Sequence, residues 1–330
     1  MRALLFFVIL SFTLALNALA DPLAELSGFS IFDKVDLAQL AKSDAKTGHG
    51  PPMSNARFLS VQSVFVTPGS PAQNLEALRK WNPAQHGDPK VFLHGDLPSS
   101  PSESAFAKIK DAPDNAAVRA FVNATSKMAN DLQLSREEAA KWKGGDAALS
   151  GAGGDFWMGV LAGRARAFSG GGTSGLPPYD HSGRAIRAGD ELNGLLREQS
   201  KIRKQFSGFL DGTGIGRGAG GKPELYWELN NTDNVAVATL GAFYSRIAGD
   251  GAQAADIFYY ASGSYYAALT LCQMWPVSVN GQSSTLVWRG DMVSSAALAE
   301  LHGVEKLGSE SAMMKDVART IARFRKDASR

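Results

Sequence analysis

Two pairs of neighbouring side chains carry the residue types needed for proton transfer. Asp180 and His181 lie in a polar loop that follows two prolines, and His94 ends an apolar run two residues before Asp96. An imidazole titrates near neutral pH, and a nearby carboxylate can orient its ring. We therefore take His181 with Asp180, and then His94, as candidate catalytic residues. Neighbours in sequence seldom reach the geometry of a catalytic pair, so a role in a turn or on the surface stays open for each.

Other catalytic and metal-binding signatures are missing from the sequence. No two histidines stand four residues apart, and neither H-E-x-x-H nor C-x-x-C occurs. The G-x-S-x-G pattern of serine hydrolases is absent as well. The glycine-rich segment 212–221 follows a predicted helix and precedes Pro223 and a strand, the reverse of a dinucleotide-binding turn. The sequence therefore implies no metal site and no cofactor.

The first twenty residues have the order of a secretory signal peptide. Arg2 precedes an apolar stretch at 3–16, and Ala18 and Ala20 stand where signal peptidase reads small residues. The stretch is shorter than the about 20 residues that span a bilayer. We expect cleavage after Ala20 and a soluble, periplasmic or secreted protein without a stable membrane span. An uncleaved N-terminal anchor is the alternative.

The composition is that of an ordinary globular protein. The chain is 44% hydrophobic and 20% charged, with a net charge of +2. A nearly neutral chain lacks the basic face that a nucleic-acid backbone requires, so nucleic acid is not an expected partner. The single cysteine, Cys272, lies in an apolar run and is predicted to be a buried core residue.

Hydrophobic periodicity divides residues 21–330 into three zones. The first combines strands with a helix that starts at Ser70 and Pro71, at 58–66, 70–81 and 91–94. The second is helical, at 116–128, 135–142, 156–168 and 188–210. The third is strand-rich, at 225–229, 235–240, 257–260 and 265–275. Asn280-Gly281 then predicts a type I′ hairpin, and an amphipathic helix follows at 309–324.

This order of elements predicts one composite α+β domain over residues 21–330. Its parts are an antiparallel sheet within 222–330, a C-terminal amphipathic helix packed on that sheet, and a large helical insertion at 99–211. The order over 57–81 and 222–330 resembles helix-grip proteins of the START-like kind. In those proteins a curved antiparallel sheet wraps a C-terminal helix and leaves an apolar cavity. The helical block is a departure from that pattern.

Aromatic residues crowd into the strand-rich third of the chain. Alternation along a strand sends about half of them to each face of the sheet. Core packing is one reading of this cluster, and an aromatic-lined cavity closed by the helix at 309–324 is the other. On the second reading we expect these side chains to bind the ligand: Trp227, Tyr259, Tyr265, Trp275, Trp288 and Met313.

Three functions follow from these observations. The leading hypothesis is an exported protein that binds a hydrophobic or amphipathic, lipid-like small molecule in the aromatic-lined cavity. The first alternative is an extracytoplasmic hydrolase-type enzyme with its site on the loop 177–190. The second is an envelope-associated module whose helical block docks another protein, which an exposed apolar patch on those helices would mark.

Overall fold

The computed structural model describes residues 21–82, 84, 90–183, 185–215 and 221–328. The predicted signal peptide at residues 1–20 lies outside the described residues, as does part of the glycine-rich segment 212–221. Within the described ranges, no helix combines the length and the apolar character needed to cross a membrane.

The centre of the fold is an antiparallel sheet of eight strands. The strands are β1 (Lys46–His49), β2 (Phe58–Pro68), β3 (Val91–Leu97), β4 (Glu224–Thr232), β5 (Val235–Ala248), β6 (Gly251–Ala261), β7 (Ala267–Val279) and β8 (Gln282–Ser294). Their order across the sheet is β1-β2-β8-β7-β6-β5-β4-β3. Strands β3 to β8 therefore follow one another in space as in sequence, and β2 pairs with the last of them. The predicted α+β class is confirmed.

Helices precede, interrupt and follow the strands. They are α1 (Pro22–Phe29), α2 (Leu37–Lys42), α3 (Pro71–Lys80), α4 (Ala116–Lys127), α5 (Arg136–Ala139), α6 (Ala152–Gly171), α7 (Ala188–Glu198), α8 (Ser200–Gln205), α9 (Ser207–Leu210), α10 (Ala296–Glu300) and α11 (Val304–Ala328). Two 3₁₀ helices, at Glu103–Asp111 and Gly172–Gly175, flank α4–α6 in the chain. Helices α4 to α9 thus all lie within the predicted insertion between β3 and β4.

The two faces of the sheet carry different helices. On the first, here called the insertion face, α1, α2, α4 and α7 pack against the strands, and α6 packs against them in turn. On the second, called the C-terminal face, α3 packs on β5–β8 and α11 packs on β1 and β2. The sheet is therefore the middle layer of three, and each face has its own hydrophobic cluster.

Local signals explain most element boundaries. Ser70 and Gln73 form a reciprocal capping box at the start of α3, with Pro71 at its first position. Asn280 and Gly281 both have positive φ, 52° and 77°, as a type I′ turn requires between β7 and β8. These predictions are confirmed.

Two helix predictions and one edge of the sheet differ from the structure. The helix predicted at 188–210 is divided into α7, α8 and α9, because Gln199 leaves the helical conformation (φ −107°, ψ 59°). Its side-chain amide donates to the Pro51 carbonyl at 3.3 Å, in the loop between β1 and β2, and to the Ser60 hydroxyl of β2 at 3.4 Å. The helix predicted at 135–142 is the single turn α5, and the edge strand β1 was not predicted.

Candidate functional site

The aromatic residues predicted to bind a ligand do not gather beneath the C-terminal helix. Four of them face the insertion side and pack on its helices: Trp227, Tyr259, Trp275 and Trp288. Tyr259 stacks on Phe168 of α6 with ring centroids 3.8 Å apart. Met313 lies on α11, over the opposite face, and Tyr265 lies in the turn before β7. The six side chains therefore belong to both sides of the sheet.

The space between α11 and the sheet is nearly filled. A cavity of about 20 Å³ remains there, between Phe65, Cys272 and Val287 of the sheet and Ile321 and Phe324 of α11. A single water molecule needs roughly 10–15 Å³ of such space. The apolar cavity that the helix-grip resemblance implies has no room for a lipid-like ligand at this place.

Asp180 and His181 hold their loop to the segment before α5. His181 Nε2 lies 2.7 Å from the Leu132 carbonyl oxygen, so this nitrogen carries a proton and donates it. The Asp180 carboxylate accepts a hydrogen bond from the Arg136 amide at 2.9 Å. Asp190, on the same loop, is exposed at the start of α7. These contacts give Asp180 and His181 a structural role in the loop.

The helical block lacks the apolar patch expected of a docking surface. In the described part of the chain the exposed large apolar side chains are Ile247, Val304 and Leu307. None of these lies within 99–211: Ile247 is on β5, and Val304 and Leu307 are neighbours on the first turns of α11.

His94, the remaining catalytic candidate, lies among ionisable groups on the C-terminal face. Its Nδ1 lies 3.0 Å from Glu228 Oε1, and its Nε2 lies 3.3 Å from Asp96 Oδ1. Its ring stacks on Tyr226, with centroids 5.5 Å apart. Burial lowers the pKa of His94, but the hydrogen bond and charge of Glu228, followed by those of Asp96, raise it further than burial lowers it.

Asp256 projects from β6 onto the same face and meets Tyr226 of β4. The Tyr226 hydroxyl donates a hydrogen bond of 2.7 Å to Asp256 Oδ1. Burial raises the pKa of the Asp256 carboxyl to about 7, although the hydrogen bond from Tyr226 acts in the opposite direction. Burial and then the Asp256 charge raise the pKa of Tyr226 well above its ordinary value. Tyr226 thus remains a neutral donor, while Asp256 exchanges its proton near neutral pH.

Gly241 is the position that allows Tyr226 to reach Asp256. Strand β5 runs between β4 and β6, so the Tyr226 ring must cross it. Gly241 pairs with Tyr226 on one side and with Phe258 on the other. A Cβ atom at position 241 would lie 2.1 Å from Tyr226 Cζ, a distance that no side chain can occupy.

Aromatic rings continue from Tyr226 along this face. The Tyr226 and Phe258 rings are 5.8 Å apart at 85°, and the Phe258 and Tyr265 rings are 6.5 Å apart at 89°. Asp256 and these three aromatic residues are all partly exposed. The Asp256 carboxyl is thus buried enough for burial to raise its pKa and is still partly exposed to solvent. We give the name polar recess to this partly exposed group of side chains, which comprises His94, Tyr226, Glu228, Asp256, Phe258 and Tyr265.

Neighbouring strands extend the polar character of this floor. Thr270 of β7 pairs in register with Asp256 on one side and Asp291 on the other. Its hydroxyl donates to Asp291 Oδ1 at 2.8 Å. Arg289 donates to the same carboxylate, through Nη2 at 2.6 Å and Nε at 2.8 Å. Arg289 is therefore paired with Asp291, and its charge lowers the pKa of Asp256 by less than burial raises it.

Three oxygens of the polar recess have unused hydrogen-bonding capacity. Among the described residues, Asp256 Oδ2, Glu228 Oε2 and the Tyr265 hydroxyl have no hydrogen-bond partner. None of them is sealed from solvent. They are the groups that a polar ligand would meet.

A larger cavity adjoins the polar recess at Glu228. It measures about 340 Å³ and lies between strand β4 and helix α11. Glu228, Asn230 and Thr232 line it on the strand side, and Asp316 and Thr320 line it on the helix side. Thr320 also borders the 20 Å³ cavity, so both spaces follow the same side of α11.

Two of the predicted ligand-binding residues have sequence neighbours in the polar recess. Trp227 and Tyr259 lie on the insertion face, whereas Tyr226 and Phe258 lie at the recess. Successive side chains of a strand point to opposite faces, so the two members of each pair are separated by the sheet. Acidic residues two positions away on the same strands, Glu228 on β4 and Asp256 on β6, could have pointed to Tyr226 and Phe258, because residues two apart on a strand share a face.

The described residues contain no cluster of three or more His, Cys, Asp or Glu side chains arranged to hold a metal ion. The carboxyl groups of the polar recess are instead paired with His94, Tyr226 and Arg289. Comparisons of the chain with protein-family models, with curated proteins and with solved structures return no match.

Proposed function

We propose that this protein binds an amphipathic small molecule in the polar recess and the 340 Å³ cavity beside it. The observation that carries this proposal is the Asp256 carboxyl, which is held by Tyr226 at one oxygen and is unpartnered at the other. One end of the ligand meets the Asp256 carboxyl and the rings of Phe258 and Tyr265, and the rest of it extends past Glu228 into the adjoining cavity.

The size of this region supports the proposal. Small-molecule sites are concavities of roughly 300–1,000 Å³ in which a few fixed polar groups orient the ligand. The adjoining cavity is about 340 Å³, which falls within that range. Tyr226 and Asp256 fix each other through their hydrogen bond, and Gly241 keeps the Tyr226 ring in place. A preorganised polar group loses little conformational entropy when a ligand arrives.

Export of the protein is part of the same proposal. The signal-peptide pattern at residues 1–20 supports a mature chain that starts at Asp21 and meets its ligand outside the cytoplasm. A carrier of this kind keeps an amphipathic ligand that is poorly soluble in water in solution.

Binding is tested with a neutral amphipathic fluorophore, N-phenyl-1-naphthylamine, and the full mature chain. We expect saturable binding at one site per chain. Phe258→Ala removes a ring of the recess and weakens binding by about tenfold or more, since a buried aromatic ring contributes about 1.5–3 kcal/mol. The matched control is Phe92→Ala, because Phe92 is also partly buried but packs on the insertion side. Equal affinity for wild type and Phe258→Ala, or no binding at all, contradicts the proposal.

Acid–base catalysis at the same recess is a second candidate function. The observation that favours it is the pKa of about 7 that burial gives Asp256, since such groups concentrate at catalytic sites. Native and denaturing mass spectra of protein purified from its own compartment separate the two functions. A binding protein releases its ligand chemically unchanged on denaturation, whereas an enzyme converts an added stock of that compound.

A further inference from the structure

The rings beside Asp256 are arranged in perpendicular pairs. Phe258 stands at 85° to Tyr226 and at 89° to Tyr265, and Asp256 lies two residues before Phe258 on β6. The Tyr226 ring lies between His94 and Gly241, so the partly exposed rings of Phe258 and Tyr265 are the ones that a ligand beside Asp256 can contact. Aromatic faces attract cations, and several faces around one point are how quaternary ammonium groups are recognised.

The charges around this volume are unbalanced toward the negative. Four carboxyl groups face it or adjoin it: Asp96, Glu228, Asp256 and Asp291. His94 and Arg289 are the matching bases, and each is already bonded to a carboxylate of the group. Nearby on α11, Asp316 is paired with Lys90. The excess carboxyl is Asp256, whose only described partner is the uncharged Tyr226 hydroxyl.

We propose that the polar end of the ligand is an organic cation, an ammonium group that contacts the rings of Phe258 and Tyr265 and is paired with Asp256. This inference rests on the proposed function and adds the chemical class of the ligand. An anionic or zwitterionic end finds no unmatched base here, because Arg289 is already bonded to Asp291 and His94 to Glu228 and Asp96. The ring of Phe258 offers no hydrogen bond, so it favours a methylated ammonium over a strongly hydrated one.

Cation binding is expected to release a proton from Asp256. The free carboxyl holds its proton up to about neutral pH, because burial raises its pKa to about 7. Three groups that face Asp256 keep their protonation state around neutral pH. Tyr226 on β4 stays neutral, and Arg289 on β8 stays charged. Burial raises the pKa of Cys272 on β7 to about 12, so its thiol also stays neutral. Glu228 on β4 and Asp291 on β8 raise the Asp256 pKa further. Affinity for a cation therefore rises with pH through about 7.

Displacement of N-phenyl-1-naphthylamine by two probes of the same shape tests this inference. One is hexyltrimethylammonium, and the other is its uncharged analogue with carbon in place of nitrogen. At pH 8 we expect the cation to bind wild type about tenfold more tightly than its analogue, in the range of a desolvated cation–π contact. Asp256→Asn should reduce that preference to less than threefold, whereas Asp190→Asn, on the exposed first turn of α7, should leave it unchanged.

The outcomes separate the two proposals. If the fluorophore binds and both probes displace it equally from wild type, the cation inference is overturned and the binding function stands. If the fluorophore itself does not bind, the proposed function fails. Isothermal titration of hexyltrimethylammonium in two buffers of different ionisation enthalpy gives a second readout. It should report proton release at pH 6.5 that disappears in Asp256→Asn, and absence of release in wild type contradicts the pairing.

Discussion

The two faces of the sheet have the same strands but opposite characters. On the insertion face, Trp227, Tyr259 and Trp288 are all 0% exposed and contact the rings of α1, the helical insertion and its neighbours. On the C-terminal face, one residue away along the same strands, Tyr226 and Phe258 are partly exposed and surround a carboxyl group. The helical block therefore buries the aromatic rings of one face, whereas α3 and α11 leave those of the other partly exposed. We expect function where a carboxyl group and aromatic rings are accessible together.

The buried ion pair of the insertion face provides the strongest test of how closed that face is. Arg164 of α6 is 0% exposed, donates to Glu138 Oε2 at 2.6 Å and lies 4.3 Å from the Tyr260 ring. We expect Arg164→Met to lower the free energy of unfolding by about 3–5 kcal/mol, because Glu138 is left charged and unpaired. Urea unfolding measures this, and Glu138→Gln added to Arg164→Met should recover part of the loss. A loss below about 1 kcal/mol would show that water reaches this pair.

The comparison of faces predicts opposite results for two aromatic truncations. Trp288→Ala removes a fully buried ring and is expected to cost about 3–5 kcal/mol of stability while leaving fluorophore affinity unchanged. Phe258→Ala removes a partly exposed ring and should cost less than about 2 kcal/mol while weakening binding. Unfolding curves and binding isotherms of both variants are compared. If Trp288→Ala and Phe258→Ala lose the same stability and both bind the fluorophore normally, the two faces do not differ in burial and ligand contact as the account requires.

Gly241→Ala tests the geometry of the recess without altering any polar atom. The new methyl group overlaps the Tyr226 ring, so Tyr226 must leave Asp256, at a cost of about 1–3 kcal/mol. Fluorophore binding should weaken and the Asp256 pKa should change. The matched control is Gly163→Ala in α6, where the added methyl meets nothing within 4 Å and the helix gains up to about 1 kcal/mol. If Gly241→Ala binds the fluorophore as tightly as wild type does, the observed position of the Tyr226 ring is not required for binding.

The C-terminal face should also make stability depend on pH. Asp256 has its pKa raised from 3.8 to about 7 in the folded state, so the folded protein binds the extra proton between those values. Stability from this group is present below pH 3.8 and is lost as the pH rises through about 7. The pKa of His94 is also raised in the folded state, so its contribution to stability is likewise lost as the pH rises. We expect the free energy of unfolding to fall by about 1–3 kcal/mol from pH 5 to pH 8 through this region.

Asp256→Asn separates this contribution from the other ionisable groups. The amide cannot ionise but still accepts the hydrogen bond from Tyr226, so the variant should lose less stability between pH 5 and pH 8 than wild type does. A parallel pH profile for the two proteins would show that Asp256 is solvated like an ordinary surface carboxyl.

Local sequence patterns predicted caps, turns and strands, but they did not predict which face of the sheet is covered by helices. Caps at Ser70 and Ser135, the Asn280-Gly281 turn and the strand patterns depend on nearby residues, and they were predicted correctly. Which face of the sheet is open depends on how α1 and residues 99–211 fold back on it, and no local pattern carries that information. Trp227 was chosen over Tyr226 for this reason. The break at Gln199 has the same origin, since its partner Pro51 is far away in sequence.

The candidate site was predicted only in part. His94 was identified from its type and its position near Asp96, and it does lie beside a carboxylate network. Asp256 has ordinary neighbours in sequence; its raised pKa comes from burial, and its hydrogen bond comes from Tyr226 across a glycine on the intervening strand. Such a pairing depends on register, which is fixed by the whole sheet.

The most direct test of the polar recess is the titration of Asp256 itself. The ¹³Cγ signal of this carboxyl, assigned by its absence in Asp256→Asn, can be followed with pH in a protein that comprises residues 21–330. We predict a midpoint near pH 7 in the free protein and a clear fall of that midpoint when hexyltrimethylammonium is added. A midpoint near 4 that the cation does not move would contradict a buried carboxyl poised to meet a ligand on the C-terminal face.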